Sequence, residues 1–195
     1  MKIIVASSNK GKLKEFRELF PNIEFVSLLD LNYDKDIVEN GISFKENAYI
    51  KAKTIYDEFK LPTIADDSGI SCEALLGAPG IYSKRFSGGD DEDNNRLLLE
   101  KMHDKEDKTC YYTCAICLIL GDDKIYMIEE KCYGKITEDR RGTNGFGYDP
   151  YFYLPSYGKT MAELSLEEKN KISHRGKALS KLKDVLLSYE DRTTL

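Results

Sequence analysis

The fold is decided near the amino end by the stretch KIIVASSNKGK, which runs from Lys2 to Lys12. Its first part, Lys2–Ser7, has the apolar run of a buried strand, and Asn9–Gly11 has the composition of a tight turn. The segment that follows, Lys12–Phe20, repeats apolar side chains at helical spacing. A strand that turns directly into a helix indicates an α/β fold.

The rest of the chain continues this mixture of strands and helices. Ser43 followed by Glu46 predicts a capping box at the start of a second helix, and Thr63–Ala65 predicts a strand that ends before an aspartate pair. The remaining predictions are a strand at 23–26, a helix at 90–102, a hairpin formed by 109–120 and 124–132, an extended piece at 151–154, a second capping box at Ser165 with Glu168, and a last helix capped by Ser173. Parallel and antiparallel strands mixed with helices favour an α/β fold that could divide into two lobes around a cleft.

Composition limits the classes of function. The 195 residues are 41% apolar, which is enough for one large domain or two lobes around a shared sheet. The longest apolar run, Cys114–Leu120, is far shorter than the ~20 residues that span a bilayer, and no secretory signal is expected at the amino end. A net charge of −5 argues against extensive binding to nucleic acid. Five cysteines are an odd number and predict reduced thiols, so we expect a cytoplasmic protein without membrane partners.

The segment Ser7-Ser8-Asn9-Lys10-Gly11-Lys12 joins the first strand to the first helix. Backbone N–H groups at such a junction can face an anion, and the lysines would add positive charge. The segment is not a Walker A loop, because Leu13 follows Lys12 where that loop needs serine or threonine. A phosphate site is one interpretation, and a polar turn with solvated lysines is the other.

An acidic motif, Asp66-Asp67-Ser68-Gly69, is predicted at the carboxyl end of a strand, where α/β proteins often bind ligands. Strand alternation sends the two carboxylates to opposite faces, so only one can face a cleft directly. That carboxylate could hold Mg²⁺, with Glu39 of an acidic loop as a second ligand. The alternatives are an aspartate pair that caps a turn and a loop glutamate that serves solubility.

Lys51 lies at the border of the apolar stripe of the second helix. Its ammonium group could reach a cleft from there. The alternative is a lysine whose stem lies along the edge of the core while its charge stays in water.

Aromatic and charged residues near the carboxyl end suit a planar base. Phe146-Gly147-Tyr148-Asp149-Pro150 combines aromatic rings, a flexible glycine and a carboxylate, and an aromatic face can stack on a nucleobase. Lys169, His174 and Arg175 cluster where the last helices meet and could contact a base or a phosphate. A hydrophobic turn and a charged surface are the alternatives.

Two further patterns carry no metal or redox prediction. Cys114 and Cys117 would point to opposite faces of a strand, and no second cysteine pair stands at metal-ligand spacing. His103 has no partner at ligand spacing and is expected on the surface.

Taken in order, these motifs resemble the inosine triphosphate pyrophosphatase family, the pyrophosphatases of non-canonical purine nucleotides. The resemblance spans nearly the whole chain. It rests on Ser7, Asn9 and Lys12, on Ala65–Gly69, on Gly77–Ser83, on Phe146–Pro150, on Met161–Leu164 and on Ser173–Arg175. Ser8 stands where the family often has glycine, and Val38 stands where many members have a second acid.

The resemblance implies a fold, an activity and an assembly. The expected fold is a long mixed β-sheet with flanking helices that form two lobes around a nucleotide-binding cleft, within a single domain over residues 1–195 and in a homodimer. The expected activity is the Mg²⁺-dependent conversion of ITP, dITP and XTP to the monophosphate and pyrophosphate. The alternatives are a pyrophosphatase for other modified nucleotides and a nucleotide sensor without catalysis.

The resemblance also implies residue roles. Asp67 would be the general base and, with Glu39, a ligand of the metal. The phosphates would contact Ser7, Ser8, Asn9, Lys10, Gly11, Lys12, Lys51 and Ser68. The base would be enclosed by Phe146, Gly147, Tyr148, Asp149, Lys169, His174 and Arg175.

Overall fold

The structure is a computed structural model that describes residues 1–7 and 10–193, with the side chains at 10, 11 and 190–193 outside the description. The strands are Lys2–Val5 (β1), Glu24–Ser27 (β2), Thr63–Cys72 (β3), Thr109–Gly121 (β4), Lys124–Ile136 (β5), Phe152–Leu154 (β6) and Lys159–Thr160 (β7). The helices are Lys10–Leu19 (α1), Phe44–Phe59 (α2), Asp91–Met102 (α3), Leu166–Ile172 (α4) and His174–Thr193 (α5). Short 3₁₀ turns lie at Glu73–Leu75, Gly80–Arg85, Asp149–Tyr151 and Met161–Glu163.

Within the described part of the chain, the strands form one sheet in the order β2-β1-β3-β4-β5-β6-β7. β1 is parallel to both β2 and β3, whereas β6 is antiparallel to β5 and to β7. The predicted hairpin is present as β4 and β5, with β5 extending to Ile136. The prediction of an α/β fold with a long mixed sheet and flanking helices is therefore confirmed.

The chain divides into two compact units. The first contains Met1–Asp67, Ala115–Glu129 and the residues from Ser180 onward, and the second contains Ser68–Cys114 and Glu130–Leu179. In the first unit, three rings pack α1 on β2: Phe16 lies 5.4 Å from Phe25 and 6.5 Å from Phe20 between ring centres. This contact explains the helical spacing of the apolar residues that follow the first strand.

The second unit has its own core, built from residues of β3, α3, β4, β5 and β6. Ile70, Met102 and Phe152 are fully buried in it. Tyr112, near the start of β4, packs its ring 4.4 Å from that of Phe152. This core supports the segment that carries the aromatic motif described below.

The prediction that a strand ends at Ala65 is wrong. β3 runs on through Asp66–Gly69 to Cys72, so the acidic motif lies within a strand and not at its carboxyl end. The strand continues because Ile70 and Cys72 beyond the motif are fully buried in the core of the second unit. Two aspartates interrupt an apolar strand without ending it.

The two predicted capping boxes have different outcomes. The Ser165 hydroxyl accepts the N–H of Glu168, whose carboxylate accepts the N–H of Ser165, and this box is confirmed. The Ser43 hydroxyl accepts the N–H of Glu46, but the Glu46 carboxylate accepts the N–H of Ile42 instead. In the first box, the Glu46 carboxylate therefore binds the N–H of the residue before Ser43 and not that of Ser43 itself.

The five cysteines are all buried as thiols. Burial raises the pKa of the Cys117 thiol to about 12, and a thiol of that kind is a poor nucleophile and metal ligand. The absence of a redox or zinc role for Cys114 and Cys117 stays a prediction. No helix in the described residues is long and apolar enough to cross a membrane.

Candidate active site

Three of the residues singled out from the sequence meet in the first unit. The Lys51 ammonium nitrogen lies 2.8 Å from Oε2 of Glu39 and 3.4 Å from Oδ1 of Asp67. Lys51 projects from α2, Asp67 from β3 and Glu39 from the loop before α2. Their side chains are only 13%, 15% and 30% exposed, respectively. A loop, a helix and a strand thus assemble one partly buried charged cluster.

The charges of this cluster influence each other. Burial raises the pKa of Asp67, the Lys51 ammonium opposes that shift, and the Glu39 carboxylate adds to it. Burial also acts to lower the pKa of Lys51, but the carboxylates of Asp67 and Glu39 outweigh it and the pKa is raised. With two carboxylates and one ammonium, the ionised cluster keeps a net negative charge. Such a cluster favours the binding of a further cation.

The donor set fits Mg²⁺. The Oδ2 atom of Asp67 is buried and has no hydrogen-bond partner among the described residues. No group of three or more histidine, cysteine, aspartate or glutamate side chains suited to a metal occurs in the described chain. Mg²⁺ is commonly held by one or two carboxylates, with waters and substrate phosphates completing its shell. Glu39 and Asp67 can supply the two carboxylate ligands of such a site.

Asn47 is a contributor to this cluster that the sequence analysis missed. Its side chain is buried in α2, and its amide oxygen accepts the N–H of Gly41 at 2.9 Å. Burial raises the pKa of Asp67, and the Asn47 side chain acts in the opposite direction. The available signal was an amide placed one residue before Ala48, on the apolar face of the helix. Asn47 ties the loop that carries Glu39 to α2.

Asp66 has a different partner from Asp67, as strand alternation predicted. Its Oδ2 accepts the Lys12 ammonium at 2.8 Å, and its side chain is 2% exposed. Ser7 is half-buried, while Ser68 is exposed on β3. The predictions for Ser8 and Asn9 lie outside the described residues. Lys10 and Gly11 are described only through their backbone, as the first turn of α1.

In the second unit, Asp149 organises part of the predicted base site. Its Oδ1 accepts the hydroxyl of Tyr112 at 3.1 Å, and its Oδ2 accepts the Lys169 ammonium at 2.5 Å and the Phe146 N–H at 3.1 Å. The Phe146 ring is 79% exposed, with the Lys169 nitrogen 5.4 Å from its centre. An exposed aromatic face beside a fixed ammonium donor is an arrangement that can stack on a planar ring and bond its edge.

The middle of the aromatic segment is held by the protein itself. The Gly147 N–H donates to Asp91 at 3.2 Å, and the Asn95 amide donates to the Gly147 carbonyl at 3.1 Å. The Tyr148 ring is buried, and its hydroxyl donates to the Ser83 carbonyl at 2.6 Å. The Tyr148 side chain therefore packs in the core, and the prediction that this side chain encloses a base is corrected. Asp91 and Asn95 of α3 were not anticipated.

His174 and Arg175 are the first two residues of α5. The Ser173 hydroxyl accepts the Gly176 N–H at 3.0 Å, which confirms the predicted cap. The His174 ring stacks on Tyr112, with ring centres 4.7 Å apart and planes inclined by 16°. Tyr112 was also missed, since a tyrosine in an apolar strand carries no signal beyond that of a core residue.

The fold, the cluster of two carboxylates and a lysine, and the exposed aromatic ring suit a protein that binds nucleotides. The chain belongs to the Ham1 family, whose family model matches residues 3–185. This confirms the family resemblance drawn from the motifs.

Curated and solved relatives agree with that assignment. The chain is 45% identical over 185 residues to a dITP/XTP pyrophosphatase of Desulfotalea psychrophila, covering 93% of this chain and 83% of that protein. It is 44% identical to a dITP/XTP pyrophosphatase of Bacillus licheniformis, covering 94% and 97%, respectively. The solved structure of the Staphylococcus aureus Ham1 protein matches with a TM-score of 0.93 and 38% identity, covering 97% of this chain and all of that one.

Proposed function

We propose that this chain is a nucleoside triphosphate pyrophosphohydrolase that converts ITP, dITP and XTP to the monophosphate and pyrophosphate. The observation that carries the proposal is the cluster of Glu39, Lys51 and Asp67. It occurs in a chain that is 45% identical to a dITP/XTP pyrophosphatase. Removal of such nucleotides would keep the nucleotide pool clean.

Asp67 is the general base of the proposed reaction. Burial raises the pKa of its carboxyl, which makes the ionised form a better proton acceptor. A water molecule attacks the α-phosphorus and gives its proton to Asp67 as the bond to the departing pyrophosphate breaks. The ammonium groups of Lys12 and Lys51 offset the negative charge of the phosphates. Positioning and electrostatics supply most of the rate acceleration in reactions of this kind.

Glu39 and Asp67 are the residues that would hold Mg²⁺. When bound there, the ion would neutralise charge on the phosphate oxygens. The buried Oδ2 of Asp67, without a hydrogen-bond donor among the described residues, supports this assignment. The other proposed phosphate contacts are Ser7, Ser8, Asn9, Lys10, Gly11 and Ser68.

The base would be recognised by residues of the second unit. Phe146 supplies an exposed face for stacking, and Lys169 supplies a donor for the keto oxygen at purine C6. Adenine carries an amino group at C6, so a donor fixed there would be left unpaired against it. Asp149, His174, Arg175 and the Gly147 backbone complete the proposed base contacts.

We also propose a setting for the enzyme. Residues 1–195 would form a single nucleotide pyrophosphatase domain that acts as a cytoplasmic homodimer, without nucleic acid or membrane partners. The buried thiols suit a reducing compartment. The fully exposed Leu76 and the half-exposed Tyr82 are apolar groups that a second copy could cover. Molar mass from light scattering tests the dimer.

The activity is tested by measuring pyrophosphate release from ITP, XTP, ATP, GTP and dTTP with Mg²⁺, with EDTA and Asp67→Asn as controls. We expect metal-dependent turnover of ITP and XTP well above that of ATP and GTP. A preference for dTTP would move the function to a different pyrophosphatase class. Nucleotide binding without turnover would identify a sensor instead.

A further inference from the structure

Tyr112 connects two residues of the proposed base site. Its hydroxyl donates to Oδ1 of Asp149 at 3.1 Å, and its ring stacks on His174 at 4.7 Å. The same ring packs 4.4 Å from Phe152, a fully buried member of the core. Tyr112 therefore links the core of the second unit to both residues.

The hydroxyl fixes the orientation of a carboxylate that already has other donors. Oδ2 of Asp149 receives the Lys169 ammonium and the Phe146 N–H. The Tyr112 hydroxyl donates to the other oxygen, Oδ1, and not to the oxygen that these two groups share. Donors at both oxygens hold the plane of the carboxylate. They also hold Lys169, because its ammonium is bound to that carboxylate.

The hydroxyl remains a donor at any working pH. Burial, followed by the negative charge of Asp149, raises the pKa of Tyr112 well above its ordinary value. The tyrosine therefore stays neutral. The ring and the hydroxyl act on different partners, so the two contributions can be separated by substitution.

We infer that Tyr112 is a positioning residue for base selection, a role that rests on the proposed function. It touches no substrate in this role. Its hydroxyl orients Asp149, and through it Lys169, while its ring sets the plane of His174. Loss of the hydroxyl should loosen the groups that read the base and leave the groups that bind phosphate unchanged.

The test compares Tyr112→Phe with Tyr111→Phe. The first variant keeps the ring and removes the bond to Asp149. The second removes the hydroxyl of the neighbouring tyrosine, whose ring packs 5.4 Å from Tyr133. We expect Tyr112→Phe to lower the preference for ITP over ATP in kcat/KM by about tenfold, as loss of one hydrogen bond to a charged group allows. Inhibition by pyrophosphate, which has no base, should stay at the wild-type level, and Tyr111→Phe should match the wild type.

The outcomes separate this inference from the proposed function. If the wild type itself shows no preference for ITP over ATP, the proposed function fails. If the wild type prefers ITP and Tyr112→Phe keeps that preference, the positioning role is wrong. An equal loss of activity with every nucleotide, together with weaker pyrophosphate inhibition, would also overturn it. Thermal melting of both variants shows whether each is folded.

Discussion

The ammonium nitrogen of Lys12 lies 2.8 Å from a carboxylate oxygen of Asp66, whose side chain is almost fully buried. The next residue, Asp67, faces Lys51 instead. Adjacent aspartates in one strand therefore serve different lysines, because alternate side chains of a strand point to opposite faces. Under the proposed function, this division separates the residue that holds Lys12, a proposed phosphate contact, from the proposed general base.

Asp66→Asn should weaken substrate binding more than it slows the chemical step. The amide loses the charge that attracts the Lys12 ammonium, so the substrate must supply more of the ordering of this long side chain, which is expected to raise KM for ITP about fivefold. We expect kcat to remain near the wild-type value in steady-state assays of pyrophosphate release. A collapse of kcat with unchanged KM would contradict the assignment of Asp66.

Asp67→Asn should abolish most of the turnover. The amide keeps the shape of the side chain but cannot accept the proton of the attacking water, and general-base catalysis is worth about 100-fold or more. Single-turnover measurements with ITP would test this loss in kcat. Asp66→Asn is the matched control, since it makes the same chemical change one residue earlier.

Glu39→Gln should raise the Mg²⁺ concentration that gives half-maximal activity. One of the two proposed carboxylate ligands is lost, and a neutral amide oxygen attracts the cation less strongly. The variant should approach the wild-type rate at high Mg²⁺, and EDTA should stop both enzymes. The control is Glu58→Gln, a surface glutamate paired with Lys35. An unchanged Mg²⁺ requirement in Glu39→Gln would exclude Glu39 as a ligand.

Phe146→Ala should lower kcat/KM for ITP by about tenfold, because base stacking on an aromatic side chain is worth roughly 1–3 kcal/mol. The melting temperature should stay near that of the wild type, since the ring is 79% exposed and contributes little to the core. Tyr157→Ala removes another exposed ring of the second unit and serves as the control. Full activity of Phe146→Ala would remove this ring from the base site.

Gly69→Ala should destabilise the fold by about 1–3 kcal/mol, the range expected for overpacking. A Cβ atom at Gly69 would lie 2.3 Å from the Ser83 hydroxyl oxygen and 2.7 Å from the Gly80 carbonyl oxygen. Chemical denaturation measures the free energy of unfolding. Gly121→Ala is the control. Apart from its chain neighbours, no heavy atom of the described residues lies within 4 Å of a Cβ atom added at Gly121. Equal stability of both variants would show that the turn at Gly80 can move away.

Local patterns were sufficient for most of the elements. The hairpin of β4 and β5 followed from two apolar runs on either side of a short turn, and the Ser165 cap followed from a spacing of three residues. The carboxyl end of β3 could not be predicted from the local pattern. Two adjacent aspartates are typical of a strand end unless the residues that pack around them in space are known. The strand extends beyond the aspartates because Ile70 is buried in the core of the second unit.

The candidate site was only partly accessible from the sequence. Glu39, Lys51 and Asp67 were chosen by residue type and by family resemblance, and the structure brings them together. Asn47 and Tyr112 escaped notice because each looks like an ordinary member of an apolar helix face or strand. Their roles depend on contacts that a local pattern does not show: Asn47 accepts the N–H of Gly41, and Tyr112 donates to Asp149, 37 residues away in the chain.

Periodicity, capping and motif order are local properties, so the order of amino acids is enough to predict the class of fold, the family and the residue types available for chemistry. The partner of each charged group depends on the tertiary structure. It paired Asp66 with Lys12, placed Lys51 between Glu39 and Asp67, and turned the Tyr148 side chain into the core. The reason is that pairing depends on which strands and helices pack together, and no single segment carries that information.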